Sequence, residues 1–378
     1  MKMRLAWPCL FLIGCSASVL EPTLGAEETV VPGPGLPAEV EPQAANNNLD
    51  VIRHEGRVYL AFRTAPSHFA SEAVVMYVVS STDERSWTYE TKIELGTDVR
   101  EPRFLSWDGE LHLYFAVLGS NPLDFEPGEM RRITKGRDGA WSSDAEKAYL
   151  DGFIPWRIKL VDGVPHMIGY VGGENIYDFM ESSIDTHWLR SSDGRNWTAA
   201  RGDDPVVARG GGSETDYVVR DGEVIAVMRN ELGDDSGHGA KICRDWACEH
   251  DPKKYDSPLV FAHGDHVVLV GRRSTANRGR YDLARDDLPF ERETGFYLGK
   301  WSESPKRCAL WEVDAETLEV SFLVDLPSNG DTCFASVLEN DDGSYTLYNY
   351  TSPLDDPEIS WLAAQLGPTR IYRIRVEL

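Results

Sequence analysis

The sequence predicts an all-β protein, a six-bladed β-propeller, because one short pattern recurs six times along the chain. Each copy has an apolar run, a turn with Gly and usually Asp, and a second apolar run, which is typical of a β-hairpin. The turn glycines are Gly56, Gly109, Gly163, Gly222, Gly264 and Gly343. Their spacing, roughly 40 to 80 residues, matches one four-stranded blade per copy, and six blades close a ring around a central channel.

Further segments supply the outer strands of these blades. Ser81–Trp87 and Ser191–Trp197 each place an Asp in a turn just before a Trp. The Asp accepts backbone N–H groups within the turn, and the Trp covers the edge of the blade. The alternating segment Thr369–Val376 is expected to pair with residues around Asn46–Val51 and so close the ring without an exposed strand edge. The propeller is assigned to residues 46–378.

The N-terminal residues are predicted to lie outside the propeller. A positively charged start precedes the apolar run Leu5–Ile13, which is typical of a secretory signal peptide and too short to span a bilayer. The run ends in Leu-Ile-Gly-Cys, which resembles a bacterial lipobox. That resemblance implies a signal peptide over residues 1–14, lipidation of Cys15 and an outer-membrane lipoprotein. The alternative is an ordinary signal peptide cut further along, which gives a periplasmic or secreted protein. Residues 15–45 contain a Pro/Gly-rich stretch and are predicted to form a flexible tether.

The composition narrows the range of partners. The 378 residues carry a net charge of −24, which argues against nucleic acid because phosphate binding needs a basic surface. Eleven Trp and fifteen Tyr suit both sheet packing and stacking on sugars. We expect a monomer that meets the membrane only through its lipid anchor.

Four cysteines remain beyond the signal peptide. An even number in an exported chain predicts disulfides. Cys243 and Cys248 are close enough in sequence to close a small loop, which leaves Cys308–Cys333 as the second pair. A zinc site with His250 is the competing interpretation, although the spacing matches no familiar set of zinc ligands.

The innermost strand of each blade begins near the mouth of the channel, and here those strands begin with polar residues. Paired carboxylates are the usual groups for cleaving a glycosidic bond, since one protonates the leaving oxygen and the other attacks the sugar or activates water. The catalytic candidates are Glu101, Glu214, Asp256 and Asp331. The candidates for substrate binding are Asn48, Arg63, Arg103, Trp156, Arg157, Asp216, Arg229, Tyr255 and Arg273. The arginines can hold an anionic or hydroxyl-rich substrate, and the aromatic rings can stack on a sugar.

One of these inner strands resembles a known family. Gly212–Asn230 has a leading Glu, an Asp-Gly hairpin and a final Arg, and in this it resembles a sialidase segment. The resemblance implies that Glu214 assists a nucleophile and that Arg229 binds a substrate carboxylate. The Asp-containing turns resemble the Asp-boxes of the same propellers. Asn47–Leu49 stands where sialidases have an Arg-Ile-Pro motif, and Asp331–Phe334 lacks their nucleophilic Tyr. The resemblance therefore implies a sialidase-like fold rather than sialidase activity itself.

A second inner strand resembles a different family. Arg100–Phe104 is similar to the Arg-Asp-Pro motif of furanosidase propellers such as invertases and arabinanases, with Glu101 in place of the Asp. In those families the carboxylate stabilises the transition state. Their propellers usually have five blades, so a five-bladed furanosidase-type propeller is the alternative fold.

These observations predict an exported glycoside hydrolase of the sialidase-like propeller superfamily. The alternative is a glycan-binding surface lipoprotein without catalysis, since propellers often keep the fold and lose the reaction. His68 and Glu72 lie in the loop of the first blade where sialidases place their acid/base Asp, so the resemblance implies that either could serve as the acid–base residue, with an exposed surface loop as the competing interpretation. No cofactor and no metal site is predicted, although the many acids leave room for a Ca²⁺ ion in the channel.

Overall fold

The described part of the chain forms six antiparallel sheets arranged as the predicted six-bladed β-propeller. A computed structural model describes residues 19–178, 183–285 and 287–378. In blades 1 to 5 the strands follow one another from the innermost, at the channel, to the outermost. The five-bladed alternative is therefore wrong.

The strands begin with two short N-terminal ones, β1 (Thr23–Leu24) and β2 (Glu28–Val31). Blade 1 consists of β3 (Ala45–His54), β4 (Arg57–Ala65), β5 (Val75–Ser81) and β6 (Thr88–Ile93). Blade 2 consists of β7 (Val99–Trp107), β8 (Glu110–Leu118), β9 (Pro127–Lys135) and β10 (Glu146–Asp151). Blade 3 consists of β11 (Ile154–Val161), β12 (Val164–Val171), β13 (Ile184–Arg190), β14 (Thr198–Ala199) and β15 (Val206–Gly210).

The second half of the ring repeats this plan. Blade 4 consists of β16 (Gly212–Arg220), β17 (Glu223–Asp234), β18 (Gly237–Arg244) and β19 (Ala247–Asp251). Blade 5 consists of β20 (Asp256–His263), β21 (His266–Ser274), β22 (Lys306–Val313) and β23 (Val320–Asp325). Blade 6 contains β24 (Ser336–Glu339), β25 (Tyr345–Thr351) and β26 (Arg370–Glu377). Helices α1 (Asn175–Asp178), α2 (Phe290–Ser302) and α3 (Trp361–Ala364), and a 3₁₀ turn at Asn277–Gly279, lie in loops of blades 3, 5 and 6.

The predicted hairpins are the two inner strands of each blade. In blade 2 the turn is Asp108-Gly109, and both residues have positive φ, 50° and 74°. A type I′ turn needs this conformation, which matches the twist of the paired strands and favours Asp-Gly. Trp107 stands opposite Glu110 across the turn. The local sequence is therefore enough to specify this hairpin.

The hydrophobic core lies between neighbouring blades. Val78 of blade 1 belongs to one cluster with Leu113 of blade 2, and Val227 of blade 4 belongs to one with Leu269 of blade 5. Because side chains alternate along a strand, each sheet presents an apolar face to both neighbours. This arrangement explains how the blades bury their faces without helices between them.

The ring closes differently from the prediction. β26 pairs with β25 on one side and with β2 and β1 on the other, with Thr29 opposite Tyr372. Asn46–Val51 is already paired within blade 1, as part of β3 with β4. Hydrogen bonds between Asn46 and Thr369 join this region to the C-terminal segment: the Asn46 N–H donates to Thr369 Oγ1 at 2.8 Å, and Asn46 Nδ2 donates to the Thr369 carbonyl at 3.1 Å. The predicted pairing is wrong because an inner strand finds its partner in its own blade.

The flexible tether predicted over residues 15–45 is wrong for its middle part. β2 is hydrogen-bonded into blade 6, and Val31 at its end is completely buried. The edge of β26 offers unpaired N–H and C=O groups, which an extended segment can satisfy. Cys15, its predicted lipidation and the signal peptide lie outside the described residues. No helix in the described ranges is long and apolar enough to cross a membrane.

Both pairs of cysteines form disulfides. Cys243 and Cys248 stand opposite each other on β18 and β19. Cys308 on β22 is bonded to Cys333, which precedes β24, so this bond links blade 5 to blade 6. Within the described residues no group of His, Cys, Asp and Glu could hold a metal ion. The competing zinc interpretation with His250 is left without cysteine ligands, because the nearby cysteines are bonded to each other.

Candidate active site

The inner strands of blades 1 to 5 are bulged near the end that meets the channel. At this level the register of pairing with the second strand slips in each of these blades. The bulge residues Asn48, Glu101 and Ser257 have positive φ of 39°, 54° and 55°. Non-glycine residues adopt this conformation at a cost, and bulges often serve to re-aim a side chain at a functional site.

The bulges surround a cavity of about 110 Å³ at the mouth of the channel, and every blade contributes to its wall. The lining residues are Asn48, His68, Arg100, Glu101, Phe125, Tyr170, Ile176, Glu214, Arg229, Ser257, Arg272, Phe334, Tyr350 and Trp361. Acids, arginines and aromatic rings converge here, which is typical of a site for a small polar ligand.

One carboxylate oxygen of Glu214 forms an ion pair with an arginine, and the other accepts a hydrogen bond from a backbone N–H. Oε1 lies 2.9 Å from Arg229 Nη1, and Oε2 accepts a hydrogen bond from the Ser257 N–H at 2.7 Å. Arg229 also forms an ion pair with Glu231, whose Oε2 lies 3.1 Å from the same nitrogen. Burial, reinforced by neighbouring carboxylates and opposed by Arg229, raises the pKa of Glu214 to about 7. A carboxyl that is half protonated at neutral pH is suited to donate a proton.

Glu101 is the second carboxylate of the wall. Its Oε1 accepts a hydrogen bond from Asn48 Nδ2 at 3.1 Å. Its Oε2 accepts none from the described residues and lies 3.7 Å from Arg103 Nη2. Burial raises the pKa of Glu101 against the opposing charge of Arg103. Because the charge of Glu101 also raises the pKa of Glu214, the two carboxyls are expected to lose their protons in sequence.

Each arginine in the described wall is backed by a buried acid. The pairs are Arg100–Asp98 at 2.6 Å, Arg229–Glu231 at 3.1 Å and Arg272–Asp256 at 3.5 Å. Asp256 therefore holds Arg272 from behind and does not line the cavity, which corrects its prediction as a catalytic candidate. Burial opposes ionisation of Asp256, but Lys254, Arg229 and Arg272 outweigh it and lower its pKa.

Asp331 also lies behind the wall, where it holds residues that line the cavity. It is completely buried, and its Oδ2 lies 2.7 Å from Nδ1 of His68. Its Oδ1 accepts hydrogen bonds from the Tyr350 hydroxyl at 2.9 Å and from Trp361 Nε1 at 3.2 Å. Asp331 reaches the cavity only through these three neighbours, so it is not itself a group that touches a ligand. Glu72, the other candidate of the loop that carries His68, is exposed.

Buried cations and aromatic rings form the floor beneath the cavity. The guanidinium of Arg103 lies over the rings of Trp156 and Phe334, 5.2 and 4.5 Å from their centres. The Trp156 indole packs edge-on against Phe334 and is 1% exposed. Burial lowers the pKa of Arg103 to about 9. Trp156 and Arg103 were predicted to bind substrate, but here Phe334 lies in the wall while they support it.

Arg157 and Asp216 belong to the same supporting layer. Arg157 donates to the Pro258 carbonyl from Nε and Nη2, at 3.2 and 3.0 Å. Asp216 is completely buried, accepts the Val260 N–H at 2.5 Å and binds Lys159 Nζ at 2.6 Å. Their hydrogen bonds join blade 3 or blade 4 to blade 5, so they stabilise the ring instead of contacting a ligand.

Three predicted binding residues lie away from the cavity. Arg63 is completely buried and donates from Nε to Asp98 Oδ1 at 2.8 Å. The Tyr255 hydroxyl donates to Asp251 at 2.7 Å, and Arg273 Nε donates to Asp325 at 2.7 Å. Arg273 points away because its neighbour Arg272 takes the inward position, and alternation along β21 sends adjacent side chains to opposite faces.

The sequence contained a usable signal for wall residues that the predictions did not select. Tyr170 and Tyr350 each stand seven residues after the turn glycine of their hairpin, which is the position that the predicted residue Arg229 also occupies. Arg272 stands eight after Gly264, which begins its turn. Counting from the turn therefore finds the residues at the channel end of the second strand. Phe125 and Trp361 come from loops, where no such count applies.

Comparisons with known proteins agree with the fold. No protein-family model matches the chain, and no curated protein matches its sequence. A solved protein of unknown function from Dyadobacter fermentans aligns over 88% of this chain and 95% of its own, with 14% identity and a TM-score of 0.56. Trypanosoma rangeli sialidase, in covalent complex with 2,3-difluorosialic acid, aligns over 88% of this chain with 12% identity and a TM-score of 0.52.

The chain spans 54% of that sialidase. A thermostable family-43 glycoside hydrolase also aligns, over 88% of this chain and 90% of its own, with 12% identity and a TM-score of 0.46. At such identities the likeness concerns the fold. The chain has a β-propeller fold of the kind found in the Dyadobacter protein and in the sialidase.

Proposed function

We propose that this protein hydrolyses a glycosidic bond in the channel cavity, with Glu214 as proton donor and Glu101 as the second carboxylate. One observation carries the proposal: two carboxyls with raised pKa values, Glu101 and Glu214, whose side chains are only 14% and 12% exposed, share a single polar cavity. Glycosidases use such pairs, one member protonated and the other ionised, to assist departure of the leaving group and to stabilise the positive charge on the sugar.

The other wall residues suit a sugar ring with an anionic group. Arg229 and Arg272 offer guanidinium groups that can bind a carboxylate or several hydroxyls. Phe125, Tyr170 and Trp361 offer aromatic surface on which a sugar face can stack. The sialidase-like fold is compatible with this use but does not name the sugar.

A panel of aryl glycosides, including uronides, tests the proposal. We expect measurable turnover by the wild type and a loss of about 10²–10⁴-fold in kcat for Glu214→Gln. Glu223→Gln is the matched control, because Glu223 is an exposed carboxylate on the strand that follows β16 in the same blade. Wild-type turnover that Glu214→Gln retains in full contradicts the assignment of the proton donor.

The second candidate function is glycan binding without turnover. The 2.9 Å ion pair between Glu214 and Arg229 favours it, because a carboxylate held by an arginine is less ready to carry a proton. Glycan-array binding by the wild type, together with zero turnover on the panel, would select this function.

We also propose export, with lipidation of Cys15 and a monomeric propeller at the outer membrane. The signal-like N-terminus and the two disulfides support an oxidising compartment. Cys15→Ala should move the protein from the membrane fraction to the soluble periplasmic or secreted fraction. An unchanged membrane fraction would contradict the lipid anchor.

A further inference from the structure

The joint between blade 1 and blade 6 brings a histidine and an aspartate together at the cavity. His68 lies in the loop between β4 and β5, and Asp331 lies before β24. Nδ1 of His68 is 2.7 Å from Oδ2 of Asp331, although the two residues are 263 positions apart. The His68 side chain is 16% exposed and lines the cavity, whereas the Asp331 side chain is completely buried.

The surroundings of Asp331 keep it ionised and fixed. Burial opposes its ionisation, but His68, Arg272 and the hydrogen bond from Tyr350 outweigh it and lower its pKa. Its Oδ1 accepts from Tyr350 and Trp361, and its backbone N–H donates to Ser352 Oγ at 3.0 Å. An ionised carboxylate with several donors can neither rotate nor leave its position easily.

This carboxylate sets the tautomer of His68. Nδ1 carries the proton and donates it to Asp331, so the lone pair is on Nε2. Burial lowers the pKa of His68, assisted by the positive charges of Arg100 and Arg63 and opposed by Asp331. The imidazole is therefore neutral at neutral pH, which is the state that accepts a proton.

We propose that His68 is the general base of the channel site and that Asp331 is the residue that positions it, which rests on the proposed hydrolysis. Nε2 of His68 takes a proton from a water molecule while the water oxygen forms a bond to the anomeric carbon. The bond from that carbon to the leaving oxygen breaks with its electron pair, and the leaving oxygen takes the proton of Glu214. Glu101 stays ionised beside the positive charge that develops on the sugar.

The assignment predicts the stereochemistry. Because water attacks directly and no glycosyl–enzyme bond forms, the anomeric configuration is inverted. The wild-type product released from an active aryl glycoside is read by proton NMR before it mutarotates. Retention overturns the role of His68 as base for water in this step.

The central experiment uses His68→Ala, His68→Gln and Asp331→Asn in the full chain, with the exposed His250→Ala as control. We expect His68→Ala to lose about 10²–10⁴-fold in kcat with little change in KM, and added imidazole to restore part of it. The part of the acidic limb of the pH–rate profile that reports His68 should disappear with it, and the part that reports the ionisation of Glu101 should remain. His68→Gln keeps a donor toward Asp331, and circular dichroism checks that each variant folds.

The outcomes separate this inference from the proposed function. Wild-type turnover that His68→Ala retains within about threefold overturns the base and leaves hydrolysis standing. A loss that imidazole does not restore and that leaves the acidic limb unchanged assigns His68 a structural role and also overturns it. Absence of wild-type turnover on the whole panel overturns hydrolysis itself, and the base with it.

Discussion

Replacing Glu214 by Gln should change the pH dependence of stability as well as activity. The pKa of Glu214 is about 7 in the folded protein, against 4.5 for an unperturbed carboxyl. The folded state therefore holds this proton more tightly than the unfolded state. Its contribution to stability is complete below about pH 4.5 and is lost as the pH rises to about 7. At 1.4 kcal/mol for each pKa unit, the difference between 7 and 4.5 amounts to a full loss of about 3.5 kcal/mol.

Glutamine has nearly the same shape and no proton to lose, so the variant escapes this penalty. Compared with wild type, Glu214→Gln should gain about 2.5 kcal/mol of unfolding free energy between pH 5 and pH 8, because part of the wild-type loss has already occurred by pH 5. Unfolding entropy scales with length, so for 378 residues this gain corresponds to about 3 °C in Tm. Thermal denaturation followed by circular dichroism at both pH values measures it.

The comparison of wild type and variant cancels the titration of all groups that they share. Glu223→Gln, the exposed carboxylate on the same blade, should follow wild type at both pH values. Equal pH dependence of wild type and Glu214→Gln, or a variant that is less stable at pH 8, would refute the reasoning. Glu214 would then be ionised beside Arg229 throughout the neutral range, and it could not be the proton donor.

Three further predictions concern the frame around the cavity. Asp256→Asn leaves Arg272 buried without its counter-charge and should cost about 3–5 kcal/mol of unfolding free energy in denaturant titration; a cost under about 1 kcal/mol would contradict the pairing. Replacing both Cys308 and Cys333 by Ser opens a 25-residue loop and should lower the unfolding free energy by about 3.5 kcal/mol. A variant as stable as wild type would show that the disulfide is dispensable. Removing the chain before Pro32 takes away β1 and β2, so the Tm should fall and concentration-dependent association should appear in light scattering; an unchanged monomer would show that these strands do not close blade 6.

The hairpins of the fold could be predicted because their information is local. A Gly in a turn between two apolar runs needs only its own backbone conformation to specify a hairpin, as Asp108-Gly109 shows. The closure of blade 6 could not be predicted in the same way. Any extended segment can satisfy the edge of β26, and nothing local distinguishes β2 from Asn46–Val51 as its partner.

The candidate site could be predicted less completely. Of the residues that the sequence selected, Glu101, Glu214, Asn48 and Arg229 line the cavity, and their catalytic and binding roles stay predictions. Arg273 does not line the cavity. The two-residue period of a strand shows that neighbouring side chains alternate between its faces, but once a bulge interrupts the pairing it does not show which of them faces the channel.

Local sequence patterns specified the number of blades, the hairpin turns and the polar channel ends of the inner strands, because each depends on residues close together in the chain, but they left the partner of Glu214 open among Glu101, Asp256 and Asp331. The tertiary structure alone decided which polar groups meet. His68 and Asp331 stand at opposite ends of the ring's sequence and become neighbours only when blade 1 closes against blade 6. It also decided which carboxyls keep their protons, since burial and neighbouring charges act through space and not along the chain.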